Sequence, residues 1–168
     1  MKNIILTGMP GVGKSTLGVI LAKELGYQFV DSDLLIQQQE QMLLKDIIAR
    51  KGVEGFLQVE NQVNASIETD RSVIATGGSA VYGIDAMRHF RKTGIIVYLK
   101  CSYEILEKRL GDLKGRGVVL KEGQTLYDIY QERSVLYQKY ADIVIEEDGK
   151  DIEETLTAVV HALKGKLC

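Results

Sequence analysis

The sequence predicts an α/β fold, a parallel sheet covered by helices on both faces. Three observations predict it. Short strand-like runs alternate with helical patterns along the whole chain. Two of those runs, Ile4-Ile5-Leu6 and Ile95-Ile96-Val97-Tyr98-Leu99, are almost wholly apolar, as strands buried on both faces are. A glycine-rich loop stands between the first run and the first helical pattern, where parallel sheets bind phosphate. The chain has 168 residues, enough for one domain with a proper core.

The first strand is read over 3–7. It leads into Gly8-Met9-Pro10-Gly11-Val12-Gly13-Lys14-Ser15, a complete G-x-x-x-x-G-K-S phosphate loop, and a helix is read over 16–25. Glycines let backbone N–H groups surround a phosphate, and the helix N-terminus adds partial positive charge at the same place. Gly11, Val12, Gly13, Lys14, Ser15 and Thr16 are therefore the candidate nucleotide contacts. Lys14 reaches the β- and γ-phosphates, and the Ser15 hydroxyl is a candidate Mg²⁺ ligand.

A second strand, 28–31, ends in Asp31-Ser32-Asp33. Ligands collect at the carboxyl ends of parallel strands. Two carboxylates there suit one Mg²⁺ contact, Asp31, and one substrate hydroxyl, Asp33. A helix cap by Ser32 or Asp33 is the structural alternative, and the two uses are compatible. A long helical insertion is expected over about 34–69. The third strand, 72–76, ends in Thr76-Gly77-Gly78-Ser79, whose glycines permit close approach by a ligand. It carries no acidic residue of the kind a motor ATPase uses, and the chain has no Asn-Lys-x-Asp base-reading motif of a GTPase.

A fourth strand is read over 95–100. The segment 111–123, rich in glycine and charge, is read as a lid with Arg116 at its middle, placed to neutralise charge on a transferring phosphoryl group. A fifth strand is read over 142–146. In the last helix Asp151 and Glu154 stand as N-cap and N3, and Ile152, Leu156, Val159, Val160 and Leu163 recur at helical spacing. His161 on that helix reads as a surface or edge position.

Net charge is −2, which gives no global attraction to nucleic acid or to an anionic membrane. Cys101 and Cys168 form no C-x-x-C, and His89 and His161 are too scattered for a metal cluster. No segment is long enough to span a bilayer. A monomer in a reducing cytoplasm is the expectation, without nucleic-acid or membrane partners.

The order of these motifs resembles the shikimate kinase family of P-loop small-molecule kinases, over essentially the whole chain. The family's D-x-D falls on Asp31 and Asp33, and its Gly-Gly-Gly on Gly77-Gly78-Ser79. Its adenine-side arginine falls on Arg109 and its lid arginine on Arg116. Its R-x-P-L-Y-x-x-x-A-D pattern falls on the stretch from Arg133 through Tyr137 to Asp142. The resemblance implies a three-layer α/β/α P-loop kinase fold, with a helical substrate-binding insertion and a lid. It implies ATP and Mg²⁺, with a small hydroxylated acceptor, shikimate in the family. It implies catalytic roles for Lys14, Asp33 and Arg116, acceptor contacts by Asp33, Gly77, Gly78 and Arg133, and metal contacts by Ser15 and Asp31.

Four departures stand out. The family's Gly-Glu ahead of its substrate-binding motif is Gly52-Val53. The family's Phe-Arg-x-x-Glu is Phe56-Leu57-Gln58-Val59-Glu60, so leucine replaces an arginine that clamps the shikimate carboxylate. The third glycine is Ser79. The lid's Arg-Pro-Leu is Arg116-Gly117-Val118. A guanidinium–carboxylate contact has no equivalent in leucine, and its loss costs about 2–4 kcal/mol in binding. The alternatives are a kinase of another hydroxylated metabolite, such as a gluconate-like sugar acid, and a nucleotide-binding regulatory protein without catalysis.

Overall fold

In the computed structural model, which describes residues 2–111 and 118–168, five strands form one parallel sheet in the order β2-β3-β1-β4-β5. The strands are β1 (Asn3–Thr7), β2 (Gln28–Asp31), β3 (Ser72–Ala75), β4 (Gly94–Lys100) and β5 (Ile143–Glu146). These match the sequence reading to within one residue at each end. β1 is central, with Leu6 opposite both Ala75 of β3 and Val97 of β4. Every residue of β1 is buried, as its apolar run requires, while β2 at the edge is only half-buried.

Seven α-helices are described: α1 (Lys14–Leu25), α2 (Ser32–Glu40), α3 (Leu44–Ala65), α4 (Ile84–Thr93), α5 (Tyr103–Leu110), α6 (Leu126–Tyr140) and α7 (Ile152–Leu163). A short 3₁₀ helix covers Gly78–Tyr82. α1 begins at Lys14, two residues before the sequence reading, because the phosphate loop passes straight into the first helical turn. Its inner face, Leu17, Gly18, Leu21 and Ala22, packs on the sheet. Gly18 is required there: a Cβ would come within 2.7 Å of the Phe29 ring.

The expected helical insertion consists of α2 and α3. α3 is broken at Gly52, whose φ of 74° takes the left-handed region that glycine tolerates. These helices enclose a small apolar cluster of their own, Ile36, Ile47, Phe56, Val59 and Val63, completed by Val119. The main core lies between the sheet and the other helices.

α7 begins with the expected capping box. Asp151 accepts from the Glu154 N–H at 2.8 Å, and the Asp151 N–H donates to Glu154 Oε1 at 3.3 Å. Its periodicity needs one correction. Ile152 is 42% exposed, and Thr155 takes the buried position, because the cap turns the first residue outward. His161 is exposed, as expected.

Asp151→Ala should lower stability by about 1 kcal/mol, the usual value of an N-cap, while leaving activity unchanged. Urea unfolding and an ADP-release assay on the same protein check this; an unchanged unfolding midpoint would mean the box contributes nothing.

Candidate active site

The phosphate loop starts where β1 ends. Gly8 has φ of 145°, and a Cβ there would lie 2.6 Å from the Leu99 carbonyl oxygen on β4. Only glycine lets the chain turn so close to the neighbouring strand. Gly13, with φ of 86°, occupies the N-cap of α1 without a side-chain cap, so the loop leaves the helix N-terminus open to an anion. Lys14 folds back over the loop and donates from Nζ to the carbonyls of Gly8 at 2.7 Å and Met9 at 2.9 Å. Burial pushes its pKa down to about 8, with the Asp33 carboxylate opposing the shift.

Asp31 caps α2. Its Oδ1 accepts from the N–H groups of Asp33 and Leu34, and its Oδ2 accepts from the Ser15 hydroxyl at 3.1 Å. The capping that the sequence left to Ser32 or Asp33 thus falls to Asp31. Asp33 is freed to face the cavity. Burial, with the neighbouring Asp31 charge, raises its pKa to about 6, against the pull of Lys14.

A cavity of about 310 Å³ opens at the carboxyl ends of β1 and β3. It gathers Gly11, Gly13, Lys14, Ser15, Thr16, Asp33, Gly77, Gly78 and Arg133. Three candidates stand apart from its wall. Val12 is buried beneath the loop. Asp31 acts on the loop through Ser15. Arg109 donates to the Gly11 carbonyl at 3.2 Å, beside Glu147. Arg116 lies outside the described residues, as does much of the expected lid. Beyond that gap Val118 and Val119 line the cavity.

Arg133 is 1% exposed. It donates from Nη2 to the Val119 carbonyl at 2.8 Å and from Nε to the Tyr82 hydroxyl at 3.4 Å, with its guanidinium over the Tyr82 ring. The two glycines after β3 make room for side chains. A Cβ on Gly77 would fall 2.7 Å from Asp33 Oδ1 and 3.0 Å from Glu60 Oε2. One on Gly78 would fall 3.0 Å from Arg133 Nη1.

Glu60 was not among the candidates. It lines the cavity at 2% exposure, and its Oε1 accepts from the Ser79 hydroxyl at 2.6 Å. Burial pushes its pKa up to about 7, and the Ser79 bond opposes the rise. A signal for it existed: a lone glutamate on the apolar stripe of Phe56, Val59 and Val63. Glu147, also missed, is buried near Arg109 with its pKa raised by burial to about 7, and nothing in its local sequence marks it. Leu57 lies outside the cavity wall, half-buried against the α2–α3 apolar cluster. Arg50 and Gln58 are exposed and do not line the cavity.

A family model described as shikimate kinase matches residues 10–164. Shikimate kinase 2 of Yersinia enterocolitica is 33% identical over 96% of this chain and 95% of its own length. The structure is similar to that of a shikimate kinase from Acinetobacter baumannii in complex with shikimate. That match has a TM-score of 0.87 and 30% identity, covering 100% of this chain and 96% of the other. A shikimate kinase from Aquifex aeolicus gives 0.84 at 29% identity, with 97% and 96% covered.

Glu60 has a folded-state pKa above its ordinary value of 4.5, so the folded protein holds the proton more tightly. That contribution to stability is complete below about pH 4.5 and is lost as pH rises through about 7. Glu60→Gln cannot ionise. It should flatten the fall in unfolding free energy between pH 4.5 and 7.5 by about 2–3 kcal/mol. Denaturant titrations of both proteins at the two pH values check it; parallel curves would refute it.

Proposed function

This chain belongs to the shikimate kinase family, and from that premise we propose that it moves the γ-phosphoryl group of ATP onto a hydroxyl of shikimate or a closely similar hydroxy acid. Membership makes it an ATP-dependent kinase of a small hydroxylated acceptor. The observation that carries the finer reading is the placement of Lys14, Asp33 and Arg133 around one cavity at the mouth of the phosphate loop.

In this reading the loop N–H groups and α1 hold the phosphates. Lys14 exchanges its bonds to the Gly8 and Met9 carbonyls for phosphate oxygens, which favour the charged form that burial disfavours. Arg109 borders the base side. Ser15 and Asp31 bring a hydroxyl and a carboxylate together, hard oxygen donors of the type Mg²⁺ takes. When bound, Mg²⁺ neutralises charge on the phosphate oxygens. Among the described residues no group of three acidic, histidine or cysteine side chains forms a metal site, which fits an ion that enters with the nucleotide.

Asp33 accepts the hydrogen of the acceptor hydroxyl. As that oxygen bonds to the γ-phosphorus, its proton passes to Asp33 and the bond to ADP breaks. A base with a pKa of about 6 is ionised at neutral pH yet close enough to it to take a proton efficiently. Arg133, held rigid by Val119 and Tyr82, receives the acceptor carboxylate. Most of the rate comes from positioning and charge neutralisation. We read the whole chain as one kinase domain, with about 34–69 as its acceptor-binding part and about 111–123 as its lid. No helix among the described residues is long and apolar enough to cross a membrane.

Lys14→Ala should remove phosphoryl transfer while the fold persists; near-normal turnover by a folded variant would end the kinase reading. The acceptor is tested by ADP release across shikimate, sugar acids and polyols, with Leu57→Arg in parallel. Residues 57 and 60 are neighbours on one helix, so an arginine at 57 can pair with Glu60 and reach a carboxylate. We expect weak shikimate use by the wild type and a KM lowered about tenfold by Leu57→Arg, equivalent to about 1.4 kcal/mol. Efficient shikimate use that the substitution does not improve would place the carboxylate on Arg133 alone.

A further inference from the structure

On the nucleotide side, Glu147 is a buried carboxyl that the reaction above does not use. It follows β5, at position 147, and its backbone is fixed at both ends. Its N–H donates to the Lys100 carbonyl at 2.8 Å, and its carbonyl accepts from the Lys150 N–H at 2.9 Å. The residue is 8% exposed, and its Oε2 makes no hydrogen bond among the described residues. Arg109 Nη1 stands 4.0 Å from that oxygen, and the same Nη1 donates to the Gly11 carbonyl at 3.2 Å. A buried carboxylate without a cation is strongly disfavoured, so Glu147 draws the guanidinium inward, onto the phosphate loop. The end of α5 already lies there: a Cβ on Gly11 would fall 3.0 Å from Leu110 Cδ2.

The atom that Arg109 holds matters for phosphate binding. Gly11 has φ of 88° and no side chain, so its peptide turns over easily. The Gly11 carbonyl and the Val12 N–H belong to one trans peptide and point in opposite directions. With the carbonyl taken by Arg109, the Val12 N–H points to the Met9 carbonyl at 3.4 Å, the same oxygen that Lys14 Nζ reaches at 2.9 Å. It therefore faces the inside of the loop. Turned over, the peptide would present a carbonyl oxygen to an anion instead. We propose that Glu147 is a positioning residue of the nucleotide site: it holds the Arg109 guanidinium on the Gly11 carbonyl and so keeps the Val12 N–H turned toward the bound phosphates. The proposal rests on the kinase reading only for the nucleotide that this loop takes. The charged groups around the Glu147 carboxyl are Arg109 on α5, Lys14 on α1 and Asp148 beside it in the chain. Burial raises its pKa to about 7, against the pull of Arg109 and Lys14, and Asp148 adds to the rise. Cys101, after β4, stays neutral, its thiol pushed up to about 11 by burial. Glu147 is thus a carboxylate that attracts Arg109 above about pH 7, and an acid that releases it below.

The test is calorimetric binding of ADP with Mg²⁺ to the full chain at about pH 6 and about pH 8, on either side of that value. Lys14 and the ADP phosphates titrate in every variant and cancel in the ratio to wild type. Glu147→Gln keeps the shape and removes the charge. It should weaken ADP about fivefold or more at the higher pH and less than about twofold at the lower. Arg109→Ala should likewise lose more at the higher pH, because at the lower one the guanidinium is already released. In the Arg109→Ala background, Glu147→Gln should change ADP binding by less than about twofold at either pH. The KM for shikimate should stay within about twofold of wild type in Glu147→Gln. Equal losses at both pH values, or a loss undiminished without Arg109, would make Glu147 structural and overturn the proposal. Tighter ADP binding by Glu147→Gln at the higher pH would overturn it too, since the carboxylate would then act by repelling phosphate. The expected pattern of ADP binding without turnover of any acceptor would defeat the kinase reading and leave the role of Glu147 standing.

Discussion

The site depends first on the parallel pairing of β1 with its two neighbours. In a parallel sheet all strands point the same way, so their carboxyl ends form one edge. The register sets Leu6 opposite Ala75 on one side and Val97 on the other. That brings the phosphate loop after β1, the Thr76-Gly77-Gly78-Ser79 turn after β3 and Asp31-Ser32-Asp33 after β2 to the same edge. A side chain cannot be added where these turns converge: a Cβ on Gly8 would strike the Leu99 carbonyl, and one on Gly77 would strike Asp33 and Glu60. The close approach of strands and the close approach of functional groups are the same constraint.

The second feature is the number of ionisable groups that this edge buries. Lys14, Asp33, Glu60 and Arg133 surround one cavity. Burial weakens the charged forms of Lys14, Asp33 and Glu60, lowering the pKa of the lysine and raising those of the two acids. Arg133 is held in place by a carbonyl, a hydroxyl and an aromatic face. Such an arrangement is unfavourable for folding and favourable for a polyanionic substrate, whose phosphates restore what burial removes. The cost of assembling the charges is met by the apolar packing beneath them, on the sheet and inside the α2–α3 pair.

Two departures from the family pattern lie on the acceptor side. Leu57 packs half-buried against the α2–α3 apolar cluster, and Ser79 on the 3₁₀ helix donates its hydroxyl to Glu60 Oε1 at 2.6 Å. The nucleotide side keeps its phosphate loop unchanged.

Much of this was legible in the residues. The glycine spacing and the apolar run before it determine the phosphate loop, because backbone freedom and helix polarity are local properties. The Asp151–Glu154 box is local in the same way. The positions of β1 and β4 followed from apolar runs, since strands buried on both faces have little choice of residue. What the sequence could not assign was the cap of α2, read there as Ser32 or Asp33 and taken in the fold by Asp31, because the three residues share one strand end and only the backbone turn decides among them. Nor could it show that Gly77 and Gly78 make room for Asp33, Glu60 and Arg133, or that Leu57 joins an apolar cluster while Glu60 meets the cavity. Those facts depend on contacts between residues distant in sequence, which exist only after the sheet has paired and α3 has packed, and they are decided by the tertiary structure alone.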